Sequence, residues 1–152
     1  MTAESWTDDV MALGSELAEA TDALNESLVR AETALASLNL GVSGAYDVTG
    51  MWDGGRDDVR HGIRWEKMDG RWGFVYMRVN SSSTLGSPPS VARTRVLEAS
   101  KKVRHIAARA LPELVAEILY VAKRERDAAC ELRAGVDATL AKLEDAKRGG
   151  VR

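Results

Sequence analysis

The stretch VRHGIRWEKMDGRWGFVYMRV, residues 59–79, places Asp69-Gly70 between two runs rich in β-branched and aromatic residues. Asp-Gly in that setting predicts a two-residue type I′ turn, because both central positions need a positive φ. The turn fixes the register: Lys67 faces Trp72, Trp65 faces Phe74, and Ile63 faces Tyr76. One face of the hairpin is then aromatic, with Trp65, Trp72, Phe74 and Tyr76 beside Ile63. The other face sets Arg64, Glu66 and Met68 against Val75, Met77 and Val79. An isolated hairpin is marginal in water, so a further strand is expected near Ala45–Met51, giving a β-meander over 42–80.

Outward from the hairpin the chain turns helical on both sides. Val10, Leu17, Leu24, Ala31 and Leu38 recur every seven residues, with Leu13 and Ala20 in a second seam that slips to Leu28 and Leu35. This predicts a long amphipathic helix over 5–40 with a coiled-coil-like stripe. Ser5 and Asp8 resemble a capping box at its start, and Gly41 stands where a terminating glycine belongs. Residues 81–89, rich in serine and proline, read as a loop. Ser87 ahead of Pro88-Pro89 suggests a second helical start, so residues 90–148 are expected to be helical and kinked near Pro112, which lacks an N–H donor. Residues 1–152 thus read as a single α+β domain, elongated because a helix of about 33 residues spans roughly 50 Å.

Net charge is −2, yet the charge is segregated. The balance is −10 over residues 1–58, +8 over 59–109 and zero over 110–152. Blocks of that size repel themselves, so the acidic first third is expected to lie close to the basic middle in the folded assembly. Within the expected second helix, Arg93, Arg95, Lys101, Lys102, Arg104 and Arg109 fall on one half of the wheel with His105. Such a face could follow a phosphate backbone, although the low pI, near 5.7, favours a solvated face.

No apolar run approaches the ~18 residues of a transmembrane helix. Cys130 is the only cysteine, which excludes an intramolecular disulfide and fits a reducing, cytoplasmic setting. Asn80-Ser81-Ser82 matches a glycosylation acceptor by chance. Neither His61 nor His105 lies in a nucleophile motif, and no phosphate loop, paired-cysteine motif or nucleophile elbow occurs. Neither catalytic residues, nor a metal, nor a cofactor is expected. The loop Asp53-Gly54-Gly55-Arg56-Asp57-Asp58, followed by His61, offers oxygen and nitrogen atoms but not the spacing of a calcium loop.

Three functional readings follow. The first is a non-enzymatic interaction protein with an accessory, scaffold, chaperone or inhibitor-like role. It would self-associate through a seam of Val10, Leu17, Leu24, Leu28 and Leu35, and meet a protein partner through Trp65, Trp72, Phe74 and Tyr76. The second is a nucleic-acid-associated protein or regulator using the basic helix face. The third is a metal-dependent enzyme using the Asp53–His61 loop.

Overall fold

A computed structural model of the chain describes residues 3–81 and 88–150. It is an α+β structure in which two long helices flank a four-stranded antiparallel sheet. Helix α1 spans Ala3–Ser37. Strands β1 (Gly44–Asp47), β2 (Val59–Met68), β3 (Arg71–Asn80) and β4 (Ser90–Arg95) follow in the order β1-β2-β3-β4. Helix α2 spans Lys101–Gly149. Short 3-10 turns cover Thr49–Met51 and Val96–Glu98.

The hairpin register is as the turn dictates: Lys67 pairs with Trp72, Trp65 with Phe74 and Ile63 with Tyr76. Asp69 and Gly70 both take positive φ, +52° and +77°, the signature of a type I′ turn. The third strand is shorter than expected. It ends at Asp47, whose carboxylate accepts the Thr49 backbone N–H at 2.8 Å and turns the chain.

The largest departure lies at 90–100. Ser90–Arg95 is a strand, not the start of a helix, and pairs with β3 from Val75 to Asn80. The physical reason is β3, whose outer edge would otherwise leave its donors and acceptors open. Alternation in the segment supports the pairing: Val91, Arg93 and Arg95 share one face, Ala92 and Thr94 the other. The true helix start is Ser100, whose hydroxyl accepts the Val103 N–H at 3.4 Å. At the other end, α1 begins at Ala3, so Ser5 lies inside the helix and not ahead of it. The expected loop over 81–89 falls mostly on 82–87, outside the described residues, while Asn80 of the Asn80-Ser81-Ser82 match ends β3 and pairs with Val59 and Ser90. Pro112 does not interrupt α2; the helix continues through it on an exposed position.

One core holds the helices to one face of the sheet. Val103, Ile106, Ala107, Ala110, Leu114 and Ile118 form the buried stripe of α2, three and four residues apart. Ile106, Ala107, Ala110, Leu114 and Ile118 cluster with Ile63, Trp65 and Phe74 of the sheet and with Leu28 and Leu35 of α1. Gly44 sets the closeness of α2 to β1: a Cβ there would meet Ile118 Cγ1 at 2.6 Å. α1 is fastened at the top of β3, where β4 has ended, by Glu32, whose carboxylate accepts the Phe74 N–H at 3.1 Å.

Both helices outrun this core. Trp6, Val10, Leu13 and Leu17 of α1 are each at least half exposed, as are Leu132, Val136, Leu140 and Leu143 of α2. Every residue of α2 from Lys123 to Gly149 is exposed, a length of about 40 Å. The two helices therefore leave the sheet as arms that cover neither the sheet nor each other.

Candidate functional site

At the end where α2 begins, the helix-facing side of the sheet continues to His61 and Tyr76. The hairpin register puts His61 opposite Arg78 and one step diagonal from Tyr76. His61 Nδ1 lies 2.6 Å from the Tyr76 hydroxyl, and the two rings are nearly parallel, 14° apart. Trp52, delivered by the turn after β1, lies parallel to both. Its ring is 4.1 Å from that of His61 and 5.6 Å from that of Tyr76. The Lys102 ammonium, from the first turn of α2, sits over the indole at 4.9 Å from its centroid.

The backbone under this stack is pinned by Thr49. Its hydroxyl accepts the His61 N–H at 3.0 Å and lies 3.3 Å from the His61 carbonyl, while Val48 N–H donates to the same carbonyl at 2.9 Å. The loop ahead of β2 is closed by an Arg56–Asp58 ion pair at 3.0 Å and by the Val59 N–H donating to the Arg56 carbonyl. Between this loop and the aromatic rings opens a cavity of about 340 Å³, lined by Trp52, Asp53, Arg56, His61, Tyr76 and Arg78 among others.

Burial pushes the His61 pKa below the ordinary imidazole value, and Arg78 and Lys102 push it further, against a smaller opposing pull from Asp47. The imidazole is thus held neutral. Burial raises the Tyr76 pKa, so the phenol keeps its proton. With Nδ1 engaged by Tyr76, Nε2 is the hydrogen-bonding atom His61 has left. Asp47 has a lowered pKa because it accepts hydrogen bonds from Thr49.

The residues singled out from sequence are distributed as follows. Trp65 and Phe74 are an edge-to-face pair, 5.2 Å between centroids, and both are buried. Trp72 stacks on Trp65 at 5.9 Å and is half-buried. The aromatic face is therefore core, and Tyr76 at its end lines the cavity. The basic residues do not share one helix face. Arg93 and Arg95 stand on β4, on the sheet face away from the helices. Arg93 is 3.8 Å from Glu66, which is also 3.3 Å from Arg64. Arg95 is buried and donates to the Met68 and Arg71 carbonyls that close the hairpin. Arg104 donates to the Ala99 carbonyl beside the helix start. Lys101 and Arg109 are exposed on α2. Of the expected seam, Val10 and Leu17 are exposed, Leu24 is half-buried, and Leu28 and Leu35 are spent in the core.

Asp53, Arg56 and His61 of the Asp53–His61 loop line this cavity, but the loop's carboxylates do not converge. Among the described residues no three His, Cys, Asp or Glu side chains come together. Arg78 and Lys102, which give the site its charge, belong to no motif in the sequence. The Asp-Gly register placing Arg78 opposite His61 was the available signal.

No protein-family model matches this chain, and no significant match to it is found among curated proteins or solved structures. Among the described residues no helix is long and apolar enough to cross a membrane.

Proposed function

We propose that the protein is a non-enzymatic interaction protein that self-associates through its helical arms, the α1 arm of one copy packing along the α2 arm of another. One observation carries this reading: both helices keep an apolar stripe long after leaving the core. Trp6, Val10, Leu13 and Leu17 are spaced four, three and four residues apart, and Leu132, Val136, Leu140 and Leu143 four, four and three. A stripe at that spacing is a knobs-into-holes surface without its partner.

Charge supports pairing unlike arms. Residues 3–24 carry six acidic and no basic side chains, so α1 against α1 would bring like charges together. Residues 123–149 carry seven basic and six acidic side chains and accept an acidic neighbour without that repulsion. Within one chain, among the described residues, no ion pair joins α1 to the basic segment 59–109. A groove of about 750 Å³ at the root of the α2 arm, between Asn39–Val42 and Leu119–Ala129, offers a further seat for a helix end. The nucleic-acid reading loses its geometric basis, because the basic residues are divided between a strand and a helix.

Light scattering at micromolar concentration tests the proposal. The expected mass is a defined multiple of 16.5 kDa, and Leu17→Asp or Leu140→Asp should each return the protein to a single chain with its sheet intact. A monomer across the whole concentration range would overturn it. An oligomer broken by Leu140→Asp and untouched by Leu17→Asp would replace unlike arms by α2 with α2.

A further inference from the structure

We propose that the cavity beside Trp52 is a binding site for a small organic anion, a carboxylate or phosphate monoester carried on a planar ring. The inference is independent of self-association, since the cavity lies on the sheet and not on the arms.

Size comes first. At about 340 Å³ the cavity falls at the lower end of small-molecule sites, and is some tenfold larger than the ~30 Å³ of one water. An inorganic oxyanion alone would leave most of it empty.

Charge comes second. Arg56 and Arg78 line the cavity, and Lys102 stands behind the indole. Arg56 is paired with Asp58, and Asp53 is the one carboxylate in the wall. Arg78 and Lys102 have no carboxylate at ion-pair distance among the described residues. An exposed guanidinium at a cavity wall is suited to two parallel hydrogen bonds with a carboxylate or phosphate. The same two cations help keep His61 neutral. A cationic ligand would be repelled by Arg78, and the cation that the indole attracts is already there in Lys102.

Shape and direction come third. Trp52, His61 and Tyr76 present parallel rings held in place by stacking and by the 2.6 Å hydrogen bond. Because the rings stack on one another, what they offer the cavity is a rigid, partly apolar wall suited to the aromatic body of a small ligand. The Tyr76 hydroxyl and His61 Nε2 are neutral hydrogen-bonding groups beside the cationic end, able to orient a ligand without adding charge.

Calorimetric titration of the full chain tests this with phenyl phosphate and benzoate as probes, against phenol, benzylamine and inorganic phosphate. The two aromatic anions should bind one to one, each at least about tenfold tighter than the three controls. Arg78→Met keeps the length of the side chain and removes its charge. Because Arg78 is exposed, the unfolding midpoint should not move, while the anions should bind at least about tenfold more weakly. Tyr76→Phe keeps the ring and should weaken binding less. Several results would overturn the proposal. They are no saturable binding of either anion, benzylamine binding as tightly, inorganic phosphate binding as tightly as phenyl phosphate, or unchanged affinity in Arg78→Met.

Discussion

In α2 the residues from Val103 to Ile118 and those from Leu132 to Leu143 carry the same kind of stripe, apolar side chains three and four apart. The first is buried against the sheet; the second is at least half exposed. α1 repeats the contrast in reverse, exposed from Trp6 to Leu17 and buried at Leu28 and Leu35. Identical periodicity thus ends in opposite environments within one helix. The stripe says which face of a helix seeks cover, and the supply of cover is set elsewhere. Here one four-stranded sheet of short span supplies it, and both helices are longer than the sheet is wide. The arms cost conformational entropy that their own contacts do not offset, so their stability rests on helix propensity, which their alanine, leucine, glutamate and lysine content favours, and on whatever packs against them.

The widest gap between the two regions should appear on truncating a core aromatic. Trp65 packs edge-on to Phe74 and stacks with Trp72 in the dry side of the sheet. Trp65→Ala should destabilise by about 3–5 kcal/mol, measured by urea unfolding. Leu140→Ala in the arm should change the unfolding free energy of the dissociated chain by no more than about 0.5 kcal/mol, the range of surface substitutions. Comparable losses at the two positions would erase the distinction between root and arm.

A gap of intermediate size is expected where root packing is tightest. A methyl at Gly44 would enter the volume of Ile118 Cγ1, at 2.6 Å. Gly44→Ala should therefore cost about 1–3 kcal/mol through overpacking, whereas Gly135→Ala, with nothing within 4 Å of the added Cβ, should stabilise the arm by about 0.5–1 kcal/mol. The pair Gly44→Ala with Ile118→Ala should lose less than the sum of the two single changes, because alanine lacks the Cγ1 atom that the new methyl meets. Equal and opposite signs at the two glycines would sharpen the contrast. Two neutral results would weaken it.

The hairpin was legible because its instructions are local. Asp69-Gly70 dictates the turn, the turn dictates the register, and the pleat then assigns each side chain to a face. β4 was hidden because its cause is not in its own six residues. Ser90–Arg95 follows two prolines and precedes a strong helix, and only the unpaired edge of β3 makes it a strand. With Arg93 and Arg95 on a strand, the continuous basic helix face that they would complete does not exist. The candidate site was half legible. Its loop stood out for acidic residues, yet its walls come from three separate segments. Trp52 meets Tyr76 across 24 positions in sequence, a proximity that no local pattern announces.

The smallest expected effect concerns protons, and it too separates root from arms. His61 sits in the root with its pKa lowered, first by burial and then by Arg78 and Lys102, while Asp47 opposes them. Tyr76, the other titratable group touching the ring, stays protonated. The unfolded chain takes up a proton near pH 6.5, the ordinary imidazole value, and the folded chain takes it up only at lower pH. Below that value the unfolded state binds more protons, so stability rises with pH there. The contribution is complete above pH 6.5 and is lost as pH falls through the folded value. Asp47 adds a second loss only far lower, in the carboxylate range, because its pKa is depressed by Thr49. Between about pH 7.5 and 5.5 the unfolding midpoint should therefore decline in the unmodified protein and decline less in His61→Gln. Tryptophan emission can follow this selectively, since Trp52, Trp65 and Trp72 lie in the root and Trp6 in an arm. In a Trp6→Phe background the pH response should be undiminished, and the arm's helical signal should not share it. A midpoint that rises as the solution is acidified would mean that His61 is stabilised by protonation, and the neutral Trp52–His61–Tyr76 stack would be the wrong description of the site.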